Sequence, residues 1–194
     1  MKYDLMLEEQ KELEYDTQYY DQRRKKVLNK RARWNICFDD EEQEPDYEQG
    51  KGTIISFQTL PVLNLFRNNL PIFIKDNSDI NIEKITNLKA EGNLYYDINK
   101  CGIGYHRKSK RFSQEIFNFD GDTERNIVIG IRLGETLPLC YQWYYRCKRV
   151  GVRFKIDLEH GDIYIMSSKA VGNDWRKRSK ITLRHSAGCE KYIK

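Results

Sequence analysis

A mostly β protein with helices in its N-terminal part is the fold class predicted for this 194-residue chain. Three observations carry that expectation. After about Leu88, short apolar runs alternate with turn residues: NLYYD, NIVIGIRLG, LCYQWYY, VGVRFKID, DIYIM and KITLRH. Short strands at such spacing build a sandwich or a barrel. Residues 1–32 are charged, rich in tyrosine and free of glycine and proline, a composition that favours helix over strand. The stretch PVLNLFRNNL (61–70) puts Val62, Leu63, Leu65, Phe66 and Leu70 behind a proline, which fits a helix with proline in its first turn.

The remaining elements follow in order. NICFDDEEQEPDYEQGKG (35–52) is acidic and ends in glycines, the character of a loop or irregular arm. TIISF (53–57) is a short strand. The expected layout is an N-terminal helix and acidic arm over 1–52 and a β domain over 53–194, together one compact unit. A chain of this length can bury a real core. No window holds the roughly 18 apolar residues a membrane helix needs, and MKYDLMLEEQKELEYD has no apolar stretch resembling a signal peptide. No membrane partner and an intracellular setting, cytoplasmic or nuclear, are therefore expected.

Cys37, Cys101, Cys140, Cys147 and Cys189 form an odd set with no C-x-x-C pair, which argues for reduced thiols rather than a zinc site or a disulfide framework. The net charge is +5, unevenly spread. From Arg146 to Arg184 there are eleven Lys/Arg against four Asp/Glu, and Arg23, Arg24, Lys25, Lys26, Lys30, Arg31 and Arg33 cluster near the N-terminus. Polyanions are candidate partners for such segments; an ordinary solvated surface is the plainer alternative.

The stretch GYHRKSKRFSQEIFNFDGDTER (104–125) reads as one motif with a loop pushed through it. Without Arg107 to Asp120 it closes to G-Y-H-G-D-T-E-R, which contains His-x-Asp, two ligands of a 2-His-1-carboxylate iron site. As written, His106 and Asp122 are sixteen positions apart, and Asp120 is a rival carboxylate in the same turn. The 107–120 segment begins with basic residues and continues with Phe112, Ile116, Phe117 and Phe119, a mix suited to phosphates and bases or to a hairpin packed on the barrel. Upstream, Asn93 and Tyr95 share a strand face. Downstream, Arg178, Lys180, Thr182 and Arg184 share another, with His185 pointing the opposite way.

The order N-x-Y, G-x-G-x-H, Asp, H-G-D and R-x-x-x-T-x-R, in EGNLYYDINKCGIGYH, GDTERNIVIGIRLGE, LEHGDIYIM and RSKITLRHSAG, resembles the AlkB-like family of Fe(II)/2-oxoglutarate-dependent dioxygenases, in the form met in large DNA viruses. The resemblance covers most of residues 35–190. It implies a double-stranded β-helix (jelly roll), an Fe(II) centre, 2-oxoglutarate as co-substrate and alkylated DNA or RNA as partner, with oxidative dealkylation of bases as in DNA repair. His106 and Asp122 would be iron ligands. Arg178 and Arg184 would hold the two carboxylates of 2-oxoglutarate, with Asn93 and Tyr95 adding hydrogen bonds. Two departures stand out. Lys180 replaces the family's usual asparagine, and 166–179 contains no histidine where the distal ligand is normally found. His160 and Asp174 are the candidates left for the third ligand. The alternative is a non-catalytic nucleic-acid- or protein-binding module on an oxygenase fold.

Overall fold

A computed structural model describes residues 2–77, 85–105, 127–172, 174, 177 and 179–194. The protein is mostly β with an N-terminal helix. Helix α1 (Lys2–Lys11) precedes a hairpin of β1 (Gln18–Asp21) and β2 (Lys26–Asn29). The helix expected over 1–32 is thus confined to its first third. Further on, QYYD and KVLN place aromatic and branched side chains opposite one another, Tyr19 facing Leu28 and Tyr20 facing Val27. Cross-strand pairs of this kind favour sheet, and the Asp21 carboxylate accepts a 2.9 Å hydrogen bond from the Arg24 amide to close the turn.

The expected irregular arm is also corrected at its start. WNICFD forms β3 (Trp34–Asp39), which runs parallel to β4 (Ile54–Ser56) and antiparallel to β5 (Ala90–Leu94). The alternation explains it. Ile36 and Phe38 turn to one side, where they are buried with Phe57 and Leu60, while Arg33, Asn35 and Cys37 turn to the other. Removing either buried phenylalanine ring would cost about 3–5 kcal/mol.

Helix α2 (Pro61–Asn77) starts at the expected proline and runs beyond the expected end. Its first turn is capped from α1: the Glu9 carboxylate accepts the amides of Val62 (2.8 Å) and Leu63 (2.9 Å), two donors that the helix itself cannot satisfy. Arg67 grips Asp40 through both guanidinium nitrogens, at 2.6 and 3.0 Å, and lies over the Phe57 ring. No helix among the described residues is long and apolar enough to cross a membrane.

The C-terminal half comprises β6 (Gly102–Ile103), β7 (Ile127–Ile131), β8 (Leu137–Tyr145), β9 (Lys148–Leu158), β10 (Ile163–Ser167), α3 (Ser168–Val171), β11 (Thr182–Gly188) and α4 (Glu190–Ile193). Their strands form a four-stranded sheet in the order β6-β11-β8-β9 and a β10-β7 pair. The pair is a middle layer. Ile127 and Ile129 pack on Leu70 and Ile74 of α2, and Val128, Tyr164 and Met166 pack on Leu139, Tyr141, Leu158 and Ala187 of the larger sheet. All five cysteines are free thiols, as their spacing suggested.

Gly188 ends β11 at φ +111, and a Cβ built there would lie 2.3 Å from the Gly102 Cα and 2.6 Å from the Cys101 carbonyl oxygen. Both the backbone conformation and the strand contact demand glycine. Gly188→Ala is expected to lower stability by about 2–4 kcal/mol, measured by urea unfolding. A loss under about 0.5 kcal/mol, the range of an ordinary surface substitution, would show that β6 does not pair as described.

Candidate functional site

His106, Asp122, Arg178 and the 107–120 insertion lie outside the described residues. The described site residues fall into two groups. Asn93 lies on one face of β5 and Tyr95 follows the strand's last residue, Leu94; the register sets Asn93 opposite Asn35. That face is polar. Arg33 donates through Nε to Asn93 Oδ1 and lies 3.8 Å from Glu91, whose Oε1 accepts a 3.3 Å bond from Asn35. At the other end, the Arg132 guanidinium lies 5.7 Å from the Tyr95 ring centre and donates to the Glu135 carbonyl oxygen at 2.6 Å. Tyr164 completes the group. It can lie across its cross-strand partner Gly130 only because that residue has no Cβ: one built there would fall 2.1 Å from the ring. Burial pushes the Tyr95 phenol up to about 12, with Arg33 and Arg132 opposing, and raises Tyr164 as well.

Arg184 belongs to the second group. It is paired with Gln142 in the β8–β11 register and shares its strand face with Thr182 and Ser186. Only 7% exposed, its guanidinium sits 4.1 Å from the Tyr144 ring centre, and its Nε has no hydrogen-bond partner among the described residues. A buried guanidinium nitrogen without an acceptor is costly, and the cation–π contact offsets part of that cost. Tyr105, the last described residue before the insertion, tilts against Tyr144, with ring centres 6.1 Å apart. The contacts of Asn93 and Tyr95 are thus with Arg33 and Arg132, and that of Arg184 is with Tyr144.

The two candidates for the third ligand have different partners. His160 Nδ1 accepts the Gly134 amide at 2.9 Å and Nε2 lies 3.5 Å from Asp4, tying the β9–β10 turn to α1. Asp174 pairs with Lys169 and keeps its other carboxylate oxygen buried without a partner among the described residues. His185 points away from Arg184, as the alternation predicted, toward Tyr141 and the Ala170 carbonyl oxygen 3.1 Å from its Nδ1. Among the described residues no three His, Cys, Asp or Glu side chains gather as a metal cage. Of the β8 aromatics, Tyr141 packs inward with Tyr164, Tyr144 lies under Arg184, and Trp143 and Tyr145 are exposed.

Sequence reasoning missed Arg33 and Arg132 as members of the site. Arg33 was legible only as part of a basic run, and Arg132 stands alone beyond β7. Reasoning also missed Asp16, a buried carboxylate that accepts from Tyr47 (2.8 Å), the Thr53 amide (3.0 Å) and the Thr53 hydroxyl (2.6 Å), with the Lys30 ammonium 3.9 Å away. Burial lowers the Lys30 ammonium to about 8, against the pull of Asp16.

No family model matches the chain. It is similar to an uncharacterized protein of Acanthamoeba polyphaga mimivirus, 44% identical over 191 residues, an alignment that spans 98% of this chain and 66% of that protein's length.

The position of Tyr95 has a pH consequence. An unfolded phenol ionises near 10 and the folded one near 12. Between those values the native state keeps a proton that the unfolded chain gives up, so this contribution to stability is fully present below pH 10 and is lost as pH rises toward 12. Unfolding free energy of the wild type should therefore fall more steeply over pH 10–12 than that of Tyr95→Phe, followed by urea titration at each pH. Equal slopes would mean that the phenol is not held away from water.

Proposed function

We propose that the protein is an AlkB-like Fe(II)/2-oxoglutarate-dependent dioxygenase acting on alkylated bases of DNA or RNA, on a double-stranded β-helix. One observation carries the reading. Arg184, the residue assigned by resemblance to a co-substrate carboxylate, is a buried guanidinium whose Nε lacks a partner among the described residues. A small diacid would supply the missing acceptor, because guanidinium binds carboxylate through paired hydrogen bonds. The mostly β architecture and the order of motifs along the chain support the same reading.

Imidazole and carboxylate are the donor types that suit Fe(II), so His106 and Asp122 fit the metal by chemistry and would hold it. When bound, the iron with 2-oxoglutarate and O₂ supplies the oxidation of a substrate C–H bond, releasing succinate and CO₂. The chain's own task is to bind and orient. Arg184 holds one carboxylate, fixed from below by the Tyr144 ring. The 107–120 insertion brings cations and aromatic rings next to His106 in sequence. A methylated base has to be unstacked to reach such a centre.

A second reading, a non-catalytic binding module, is favoured by the division of the site, since Asn93 and Tyr95 contact Arg33 and Arg132 rather than Arg184. The two readings separate experimentally. The oxygenase should release succinate in a reaction that requires Fe(II), 2-oxoglutarate and a methylated oligonucleotide. Arg184→Ala should lower kcat/KM for 2-oxoglutarate about 100-fold or more, the loss expected when a buried charged contact of roughly 3 kcal/mol disappears. Full activity in that variant would remove Arg184 from the site. Absence of saturable Mn(II) or Fe(II) binding in anoxic calorimetry would leave the binding module.

A further inference from the structure

A cleft of about 520 Å³ opens between the β1–β2 hairpin, the start of β3 and α4. Tyr19, Arg24, Lys30, Arg31, Arg33 and Tyr192 line it, and among the described residues no acidic side chain does. Its size is that of a small-ligand site. Four cations around one opening repel one another, and ion pairs among the described residues reach only two of them: Asp16 lies 3.9 Å from Lys30 and Glu91 3.8 Å from Arg33, while the Asp21 carboxylate is engaged by the Arg24 backbone amide. Arg24 and Arg31 are exposed and make no ion pair among the described residues. The Lys30 side chain is 7% exposed. Burial of an ammonium on the wall of a cleft costs free energy that a bound anion would offset.

We propose that this cleft is a phosphate-binding site, which takes consecutive phosphodiesters of a single nucleic-acid strand or the phosphate chain of a free nucleotide. Arginine forks match phosphate oxygens in pairs. Lys30 adds a charge at the base of the cleft, and its ammonium, near half-ionised at about pH 8, becomes fully charged as the anion enters. Tyr19 and Tyr192 offer ring surfaces on which a base can stack. Arg33 contacts Asn93 as well as the cleft, so an occupant would lie beside the Asn93–Tyr95 group. The site does not depend on the iron chemistry: it can be present in an oxygenase or in a binding module.

The test uses the full chain with two probes, a fluorescent ten-nucleotide thymidine oligomer followed by anisotropy and tripolyphosphate followed by calorimetry. Arg24→Ala with Arg31→Ala removes two exposed cations, so the fold should survive, checked by thermal unfolding. Lys11→Ala with Lys75→Ala removes the same charge from α1 and α2, neither of which lines the cleft. The cleft variant should bind its probe at least about tenfold more weakly at 0.1 M salt, and the salt slope for the oligomer should shrink by about 1.4. The control should stay within about twofold of wild type. Tripolyphosphate that binds and displaces the oligomer identifies a free phosphate chain as sufficient; an oligomer that binds where tripolyphosphate does not identifies the strand backbone. Equal losses in the two variants would reduce the effect to overall charge and overturn the site, as would the absence of saturable binding by either probe.

Discussion

The arrangement of the N-terminal half depends on one buried carboxylate. Asp16 is 5% exposed, and an ionised group so placed costs several kcal/mol unless its acceptor sites are filled. Filling them draws in chain segments far apart in sequence: Tyr47 and Thr53 from the stretch before β4, and Lys30 from the end of the hairpin. The Asp16 backbone also bridges Asn35 of β3. These bonds hold the hairpin over the polar face of β3 and so create the cationic cleft. The carboxylate matters because a two-stranded ribbon is marginal alone.

Apolar and cationic side chains are sorted by sheet face throughout. Ile36 and Phe38 close one core, Ile127 and Ile129 another, and Leu139 and Met166 a third. Outside these apolar clusters lie Arg33, Lys30 and Arg184. Each has an offset to its desolvation, an amide oxygen for Arg33, a carboxylate for Lys30 and a tyrosine ring for Arg184. None of these offsets is complete for Arg184, whose Nε stays unmatched among the described residues. Positions that cost stability and bring no packing gain are where ligand contact is expected.

The histidines follow a similar division. His160 has both ring nitrogens engaged in the structure, one by the Gly134 amide and one near Asp4, which gives it an architectural task at the docking of α1. His185 projects between the layers toward Tyr141. A strand that turns its arginine to one side and its histidine to the other serves two environments, and the alternation of β11 makes both available within two residues.

The chain's own pattern was sufficient to show a β-rich protein, the start of α2 at Pro61, and most strands after Leu88. Period-two alternation and a proline at a helix start are local signals that neighbours in sequence enforce. It was also sufficient to turn His185 away from Arg184, because a strand fixes side-chain direction residue by residue. It failed for the β1–β2 hairpin and for β3, where charged composition masked the cross-strand pairs that win in the folded state. Tertiary structure alone decided which strand faces meet. Arg33 reached Asn93 over sixty positions, Asp16 reached Thr53 over thirty-seven, and Arg184 settled on Tyr144. Such contacts reflect the free-energy cost of leaving a buried charge unmatched, and that cost exists only once the layers have closed.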